Sequence, residues 1–439
     1  MTDSSAEPPA SPWRRRTLVV LFLLSILSVT DRQILSLMVL PIQRDLGLSD
    51  VQLGLLQGLA FAVFYSVGGL FLGAMIDRYS RRLVIFLGVV TWSLSAAACG
   101  LANSFWTLFG GRVGVGAGEG VLMPGSYSIL SDIYPRDRLA SALGFYHMGG
   151  PLGVAASLAF GGLLIGLISE ADGFAMPLLG QVHAWQATFI LTGLPGLLAA
   201  MLIFTFPEPA RRHSPIDKLA GEGSIAPVLR FLRLRPGATV CHLGAFALLT
   251  LCAYAIAGWA PAFMGRKFGW EPQAIGLGLA VSLGGGGVLA AGLGGLSVDA
   301  LFRRGVMDAH FRVHIFTTAI GASCAVGAFL CNSAWLFLVL LGASYMTLTS
   351  FTPSAAASLQ LMAPSRIRGR LSSIYAFTIT MVGLGLGPLL VALATDYLFR
   401  DRQMVGESVA LVIGVVAPVV MVLLAVGMKP YRAAVAEAA

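Results

Sequence analysis

The sequence predicts an all-α polytopic membrane protein, with twelve transmembrane helices in two pseudo-symmetric six-helix bundles. Composition is the first observation behind this prediction. Of the 439 residues, 56% are hydrophobic and 11% are charged, whereas about 25% of the residues in a soluble globular protein are charged. The second observation is an internal repeat that relates the two halves of the chain. Together they exclude a soluble globular fold.

Twelve apolar stretches are each long enough to cross a bilayer core as a helix, which takes roughly 20 residues. They cover residues 17–42, 52–76, 83–102, 105–131, 139–168, 186–206, 238–264, 273–300, 312–331, 335–361, 369–395 and 408–428. The first stretch is longer than a signal-peptide core and lacks a small-residue cleavage site, so we expect it to be retained. The predicted organisation is a tail (1–16), a bundle (17–206), a linker (207–236), a second bundle (237–428) and a tail (429–439).

Basic residues predict the orientation of these spans, because lysine and arginine concentrate on cytoplasmic loops. With the N-terminus in the cytoplasm, 22 of the 29 basic residues lie on that side, five lie outside, and Arg32 and Arg112 lie within spans. We therefore expect a multi-pass protein of a bacterial-type inner membrane with both termini cytoplasmic. The net charge of +8 then reflects topology and contact with anionic membrane lipids, and not nucleic-acid binding.

The internal repeat is visible as two pairs of matching segments. Gly73, Asp77, Arg81 and Arg82 recur with the same spacing 222 residues later, and the segment 103–135 recurs 229 residues later with its Asn-Ser, Trp and Pro positions. Parallel repeats of this kind place the substrate site between two bundles, near the bilayer midplane.

The segment GAMIDRYSRR at 73–82, with its degenerate copy GLSVDALFRR at 295–304, resembles the loop signature of the major facilitator superfamily. The resemblance implies a latch on the cytoplasmic side, formed by Gly73, Asp77, Arg78, Arg81 and Arg82 in the first copy and by Asp299 and Arg303 in the second. A carboxylate near several arginines can form or break such a network as bundles move. A basic loop that only sets the topology is the alternative.

Four ionisable residues are predicted to lie inside the membrane: Asp31, Arg32, Arg112 and Glu119. Such residues are costly in hydrocarbon and indicate a functional site by default. Arg112 and Glu119 are seven residues apart and so share one helix face. We expect Arg112 to pair with Asp31 in one state, and protonation of Asp31 or Glu119 to release an arginine. A static ion-pair cluster is the alternative.

Three further segments narrow the resemblance. They are Thr30-Asp31-Arg32-Gln33, the stretch from Arg112 to Glu119, and Ser131-Asp132-Ile133-Tyr134-Pro135, and they resemble the spinster-like branch of the superfamily. That branch implies proton-linked transport of lysophospholipids or sphingosine-1-phosphate. The organic anion:cation symporters share the Asp-Arg and Glu features, so a symporter of small organic anions stays open.

The C-terminal half carries no charge at the positions that match Arg112 and Glu119, since both are leucine, Leu341 and Leu348. We expect its cavity wall to be lightly hydroxylated, and we add His147 from the fifth span as a candidate contact. The candidate lining residues are His147, Tyr254, Tyr345, Thr347, Thr349 and Tyr375. One charged wall facing one apolar wall suits an amphiphile with an anionic head and an apolar tail.

Several functions are not supported by the sequence. The five cysteines show no CxxC spacing, so we expect neither disulfides nor a metal site. No Ser, His and acid arrangement indicates catalysis, so we expect no enzyme and no cofactor beyond the proton as coupling ion. We expect a monomer that moves an anionic lipid or an organic anion. A membrane sensor that does not transport is a further alternative.

Overall fold

The computed structural model describes residues 12–170, 174–176, 180–210, 226–363 and 367–438. Its α-helices in the N-terminal half are α1 (Pro12–Leu46), α2 (Asp50–Gln57), α3 (Leu59–Arg78), α4 (Arg81–Cys99), α5 (Phe105–Glu119), α6 (Leu122–Ile133), α7 (Arg136–His147), α8 (Gly149–Glu170), α9 (Ala184–Gly193) and α10 (Pro195–Met201). Those that follow are α11 (Ala226–Leu234), α12 (Pro236–Phe268), α13 (Pro272–Leu279), α14 (Gly286–Arg303), α15 (Ala309–Leu330), α16 (Ala334–Thr349), α17 (Thr352–Met362), α18 (Arg368–Thr378), α19 (Leu386–Leu393) and α20 (Val405–Ala438).

These helices make twelve membrane crossings, as predicted. Eleven stretches of the described chain are long and apolar enough to cross a membrane as helices. The fourth crossing is the exception, because it is divided into α5 and α6 and carries Arg112 and Glu119. The division falls at Gly120, where a Cβ would lie 2.6 Å from the backbone nitrogen of Gly69 in α3. Close backbone packing against α3 therefore accompanies the break.

Capping residues fix where several spans begin. Ser49 caps α2 and Ser104 caps α5, each in a capping box with the residue three positions later. A serine that accepts the N–H of the third helical residue satisfies a donor that would otherwise be left unpaired. Ser333 caps α16 in the same way, which matches its position as the repeat partner of Ser104.

Wider π-helical turns interrupt two spans of the C-terminal bundle. They are Ala280–Gly285 in the eighth span, and Ile379–Gly385 and Ala394–Phe399 in the eleventh. Such turns are uncommon and occur frequently at functional sites. The first two lie where the C-terminal bundle meets the N-terminal one, beside Ala155 and Leu59.

The two bundles meet on the side of the membrane opposite the chain termini, which we call the opposite face. The side holding both termini is the terminal face. A Cβ on Gly54 would lie 2.9 Å from Ala392 Cβ, and one on Gly162 would lie 2.7 Å from the carbonyl oxygen of Pro272. Side chains there would separate the bundles. The main contacts between the bundles join α8 to α13, α2 to α19, and the start of α3 to the π-helical turn at 379–385. These contacts lie in the half of the molecule nearer the opposite face, so the cleft between the bundles opens to the terminal face.

Two small features lie outside the spans. Strands β1 (Phe174–Met176) and β2 (Gly180–Val182) form an antiparallel hairpin before the sixth span, which the all-α prediction did not include. Within the predicted linker 207–236, the structure describes residues 207–210 and the helix α11, while 211–225 lie outside the described residues. Residues 1–11 of the predicted N-terminal tail also lie outside them.

A buried charge cluster between the bundles

The predicted ionisable residues of the first and fourth spans come together, and their centre is an ion pair between Arg32 and Glu119. Arg32 donates from Nε and Nη2 to Oε2 of Glu119, at 3.2 and 2.6 Å. Ser28, one turn before Arg32 on α1, donates to the same oxygen at 2.8 Å. The Glu119 side chain is fully buried, whereas that of Arg32 is 16% exposed. Charge-assisted hydrogen bonds of this kind are the strong ones.

Aromatic rings of α3 hold the two arginines in place. The Arg32 guanidinium lies 4.6 Å from the ring centre of Phe61 and 5.0 Å from that of Tyr65. Arg112 also stacks on Phe61, at 5.3 Å, and its Nε donates to the carbonyl oxygen of Leu56 at 3.3 Å. A cation over an aromatic face is attracted by the negative charge of that face. Phe61 and Tyr65 were not predicted from the sequence.

Asp31 is the one acid of the cluster without a partner. It is 1% exposed, and within the described chain neither carboxyl oxygen accepts a hydrogen bond. The indole N–H of Trp92 lies near enough to act as a weak donor outside ordinary hydrogen-bond geometry, and the side chains of Glu119 and Arg112 interact with Asp31 electrostatically. The predicted Asp31–Arg112 pair is therefore absent from this state, and Nη2 of Arg112 has no acceptor in the described residues.

A small cavity, which we call the apex cavity, lies beside Arg32 at the junction of the bundles. Its volume is about 20 Å³, which is room for a water molecule. It is lined by Arg32, Gln33, Ser36 and Gln57 of the N-terminal bundle and by Tyr254, Gly258, Leu384 and Pro388 of the C-terminal bundle. Arg32 is thus the one charged residue of the cluster that lines this cavity.

Two of the predicted cavity residues, Tyr254 and Tyr345, lie near the inter-bundle surfaces, and the position of a third, His147, is on the exposed surface of α7. Tyr254 lines the apex cavity and interacts electrostatically with Arg32. Tyr345 lies near Gly287, which also faces Pro151 of α8. His147 is exposed on α7 and bonds through Nε2 with the hydroxyl of Tyr127.

The other three predicted cavity residues pack within the C-terminal bundle or on their own helix. Thr347 lies against Gly321 of α15, and Tyr375 is buried beside His242, with ring centres 5.9 Å apart. Thr349 donates to the carbonyl oxygen of Tyr345 on its own helix. Thr347 follows Tyr345 by two residues, so helix rotation turns its side chain about 200° away from that of Tyr345. This explains why the two side chains have different neighbours.

The predicted gate motif forms its network within the N-terminal bundle. Arg81 is buried and bonds with Asp132 at the end of α6, with Glu208 after the sixth span, and with the carbonyl oxygen of Pro209. Arg82 donates to the carbonyl oxygen of Ile203. Glu208 and Asp132 were not predicted as gate partners.

The remaining gate residues are more peripheral. Gly73 faces open space, and Arg78 is exposed. In the second copy, Arg303 is exposed, and Asp299 is exposed and interacts electrostatically with His310. The side chain of Asp77 lies outside the described residues, so its part in the gate stays a prediction.

Glu208 follows the sixth span and bonds with Arg81 at the start of the third. Replacing Glu208 by glutamine tests whether this contact stabilises the fold. Partial burial works to raise its pKa, but hydrogen bonds from Arg81, Ser80 and the Arg82 backbone hold the pKa below its usual value. A depressed pKa gives stability that is present above the unfolded-state pKa and is lost as pH falls through the folded-state pKa. We expect Glu208→Gln to lower the thermal unfolding midpoint in detergent at pH 7 by about 1–3 °C.

The same variant should approach the wild-type midpoint as the pH falls below about 4.5. Glu437→Gln is the matched control, because Glu437 pairs with Arg235 on the same face but is 64% exposed, and exposed pairs contribute little. Equal thermal unfolding midpoints of Glu208→Gln and Glu437→Gln at pH 7 would show that the Arg81 network does not stabilise the fold.

A second ion pair closes the opposite face, and sequence reasoning missed it. Arg266 at the end of α12 donates from both terminal nitrogens to the carboxylate of Asp50, at 2.8 and 2.7 Å. Gln43 of α1 joins them, donating to Asp50 and accepting from Arg266. Asp50 is fully buried. This network connects α1 and α2 of one bundle to α12 of the other.

Comparison with known proteins places this architecture in a family. The family model described as Major Facilitator Superfamily matches residues 21–388. The chain belongs to the major facilitator superfamily. It is therefore a multi-pass membrane transporter and not an enzyme, which confirms the predicted fold class and family resemblance.

Two relatives of this superfamily member are distant but match nearly its whole length. It is 26% identical over 404 residues to an MFS-type efflux pump of Mycolicibacterium smegmatis, covering 90% of this chain and 88% of that protein. It is 26% identical over 436 residues to a D-galactonate transporter of Escherichia coli, covering 92% and 95%. Its fold matches the crystal structure of a bacterial homolog to the human lysosomal transporter spinster, inward-facing and unoccupied, with a TM-score of 0.79, 24% identity and 98% of both chains covered.

Proposed function

We propose that this transporter moves an anionic amphiphilic lipid, of the lysophospholipid or sphingosine-1-phosphate type, by proton-coupled alternating access. The observation that carries the proposal is that the two buried acids differ in their hydrogen bonding. Glu119 has an arginine and a serine as donors, while Asp31 has none. The site is built to hold the two carboxyl groups in different protonation states.

The charges of the cluster follow from its contacts. A buried carboxylate without donors costs several kcal/mol, so Asp31 is neutral in this state and carries a proton. Glu119 is ionised, since it accepts from Arg32. Two arginines against one carboxylate leave one surplus positive charge, which reaches the apex cavity through Arg32. That charge attracts an anion.

Anion binding and proton uptake are coupled through Arg32. An anionic head group that bonds to Arg32 competes with Glu119 for the same guanidinium. Once released, the Glu119 carboxylate is buried with Ser28 as its one remaining donor, and it takes up a proton. The anion and the proton therefore load together, and their release on the other side restores the Arg32–Glu119 pair.

The lipid assignment rests on the difference between the two walls of the cleft. The N-terminal wall presents Arg32, Gln33, Ser36 and Gln57 at the apex. The C-terminal wall presents Tyr254, Leu384 and Pro388 at the apex and carries no charge there. An apolar wall facing a cationic one suits a head group joined to an alkyl chain.

A small organic anion is the second candidate, and the D-galactonate transporter of Escherichia coli is the relative that favours it. The two candidates differ in the alkyl chain. We expect a proton gradient to drive uptake of a radiolabelled palmitoyl lysophosphatidic acid into proteoliposomes, with unlabelled galactonate at a hundredfold excess failing to compete. Competition by galactonate, without lysolipid uptake, would favour the organic anion. No gradient-driven flux of either compound would contradict a coupled transporter and favour a sensor.

We further propose that the terminal face is cytoplasmic and that the protein lies in a bacterial-type inner membrane. The proposal is supported by the basic residues on the terminal face, such as Arg78, Arg81, Arg82, Arg235 and Arg303, because lysine and arginine concentrate on cytoplasmic loops. The cleft then opens to the cytoplasm. We propose that a monomer suffices, because the two bundles of one chain enclose the charge cluster.

A further inference from the structure

One buried donor of the apex cavity has no acceptor within the described chain. Gln57, the last residue of α2, lines this cavity and is 7% exposed. Its amide nitrogen makes no hydrogen bond to any described residue. Leaving a buried donor unpaired costs more than an average hydrogen bond contributes. Because most buried polar groups in proteins are paired, the free donor of Gln57 indicates a partner that is not part of the chain.

The other amide of the cavity is already used. Gln33 donates from Nε2 to Ser36 Oγ at 3.2 Å and to the carbonyl oxygen of Ala257 at 3.1 Å. Gln33 therefore holds local structure together. The same functional group is thus bonded within the protein at Gln33 and available to a ligand at Gln57.

Close packing on both sides holds the backbone of Gln57 in place. A Cβ on Gly54 would lie 2.9 Å from Ala392 Cβ, and one on Gly58 would lie 2.5 Å from the carbonyl oxygen of Gly385. These contacts fix the end of α2 against the eleventh span. The amide of Gln57 can still turn about the last bond of its side chain, since the torsion of that bond is broad. A fixed backbone with a free amide suits a binding residue.

The charge around the apex cavity suits an anion. Arg32 is the one charged residue among the eight that line it, and none of the eight is acidic. Glu119, which accepts from Nε and Nη2 of Arg32, does not line the cavity. Gln57 adds a neutral N–H donor beside this cation. The lining therefore offers an anion two donors and no competing carboxylate.

The size of the cavity indicates which part of a ligand Gln57 can reach. A volume of about 20 Å³ admits a group of the size of a water molecule. One oxygen atom of a head group fits this space, while the rest of the head group and the alkyl chain lie outside it, in the cleft. A phosphate carries several oxygens, so Arg32 and Gln57 can each bind a different one.

Arg32 and Gln57 belong to the same bundle, since they lie on α1 and α2. The bundles of such transporters move largely as rigid bodies, so these two donors keep their spacing when the bundles move. The contact of Gln57 with the other bundle does change. In this state a Cβ on Gly258 of α12 would lie 2.8 Å from Gln57 Oε1. A ligand held by both donors therefore stays bound to the N-terminal bundle during the movement.

We infer that Gln57 is a second ligand of the anionic head group, donating from its amide nitrogen to an oxygen that Arg32 does not hold. This inference rests on the proposed function. Gln57 contributes affinity for the substrate and takes no part in proton exchange, which belongs to Glu119. Affinity and proton coupling are therefore separable at this site.

Gln57→Met tests the inference, because methionine is unbranched like glutamine and has no N–H donor. The probe is palmitoyl lysophosphatidylglycerol, and its binding to the full-length protein in nanodiscs is measured by titration calorimetry between pH 5 and 8. We expect Gln57→Met to bind the probe about tenfold more weakly at each pH, because a hydrogen bond to a charged group is lost. The fall of affinity with rising pH should remain, since Arg32 and Glu119 are unchanged.

The thermal unfolding midpoint without the probe separates a ligand from a structural residue. Gln57→Met removes a buried donor that has no acceptor in the described chain, so the midpoint should rise by about 1–3 °C. Gln360→Met is the matched control, because the Gln360 amide donates to Ser372 Oγ at 2.7 Å and does not line the apex cavity. This control should lower the midpoint and leave affinity for the probe within about twofold of the wild type.

Two results would overturn the inference and leave the proposed function standing. One is equal affinity of Gln57→Met and Gln360→Met for the probe. The other is a midpoint that falls in Gln57→Met as it does in Gln360→Met, which would make Gln57 a structural residue. A wild-type protein that does not bind the probe would overturn the proposed function and this inference with it.

Discussion

Glu119→Gln should abolish the pH dependence of anion binding. In the wild type, the anion displaces Glu119 from Arg32 and one proton is taken up with it, so affinity for the probe should fall as the pH rises, by up to tenfold for each pH unit. Glutamine cannot exchange a proton, and it binds Arg32 less strongly than a carboxylate does. Binding of lysophosphatidylglycerol, whose phosphodiester keeps one negative charge throughout this range, should then show no slope when it is measured by titration calorimetry between pH 5 and 8.

The same variant should lose proton-driven accumulation. A buried hydrogen bond to a charged group contributes roughly 1.5–3 kcal/mol, so we expect accumulation to fall by about tenfold to a hundredfold. Equilibrium exchange across the proteoliposome membrane requires no net proton movement and should persist, which shows that the protein is folded.

Asp31→Asn is the matched control, because it makes the same acid-to-amide change one residue from Arg32. Asp31 accepts no hydrogen bond in the described structure, so asparagine resembles its protonated form, and the pH slope of binding should remain. Loss of the slope in Asp31→Asn together with its retention in Glu119→Gln would exchange the two roles and contradict the proposed coupling.

The different hydrogen bonding of Asp31 and Glu119 could not be predicted from the sequence, although the proximity of the two residues could. Spacing places Arg112 and Glu119 on one helix face, and both lie in the cluster. The pairing depends on the rotation of α1, because Asp31 and Arg32 point about 100° apart. That rotation turns Arg32 toward Glu119 and the apex cavity, and leaves Asp31 beside Trp92. Local sequence does not determine the rotation, since it results from packing against α8 and α12.

The fold was largely predictable, because span length and hydropathy are local properties and the repeat is directly visible. The departures have tertiary causes. The break in the fourth span at Gly120 follows from contact with α3. The hairpin before the sixth span joins two strands of three residues each, which are too short to show the alternating pattern of a strand. The partners of Arg81 and Arg266 lie 127 and 216 residues away in the chain, a separation over which no spacing rule applies.

The Asp50–Arg266 pair could not be predicted for the same reason, although the sequence contains a signal for each of the two residues. Ser49-Asp50-Val51-Gln52 has the spacing of a capping box, which the structure forms at α2. Arg266 is one of the five basic residues that the predicted topology places on the non-cytoplasmic side. Together they join two bundles that separate when the opposite face opens, so their contact reports the state of the transporter.

Breaking this pair should shift the transporter toward opening at the opposite face. Removing one partner of a buried ion pair costs about 3–5 kcal/mol, and that cost falls on the closed state alone, because both residues are solvated once the bundles part. A shift of about 3 kcal/mol changes the ratio of two states more than a hundredfold. Asp50→Asn should therefore populate the open state even without substrate.

The distance between two spin labels on the opposite face measures this shift. With Cys324 and Cys331 replaced by serine, labels at Asn103 and Gln403 report the distance between the bundles at the opposite face, where both residues are exposed. Electron-electron resonance should show one short distance in the wild type and a second, longer one in Asp50→Asn.

Asp401→Asn supplies the control for the loss of one acid on this face. Asp401 is exposed and accepts the backbone N–H of Gln403, and asparagine keeps that cap, so the short distance should remain. Arg266→Gln should reproduce the effect of Asp50→Asn, because each variant leaves the charge of the other residue buried without an opposite charge beside it. If the short distance alone persists in both, the bundles are held by their glycine-rich contacts, at Gly54 and Gly162, and the ion pair does not determine the conformational equilibrium.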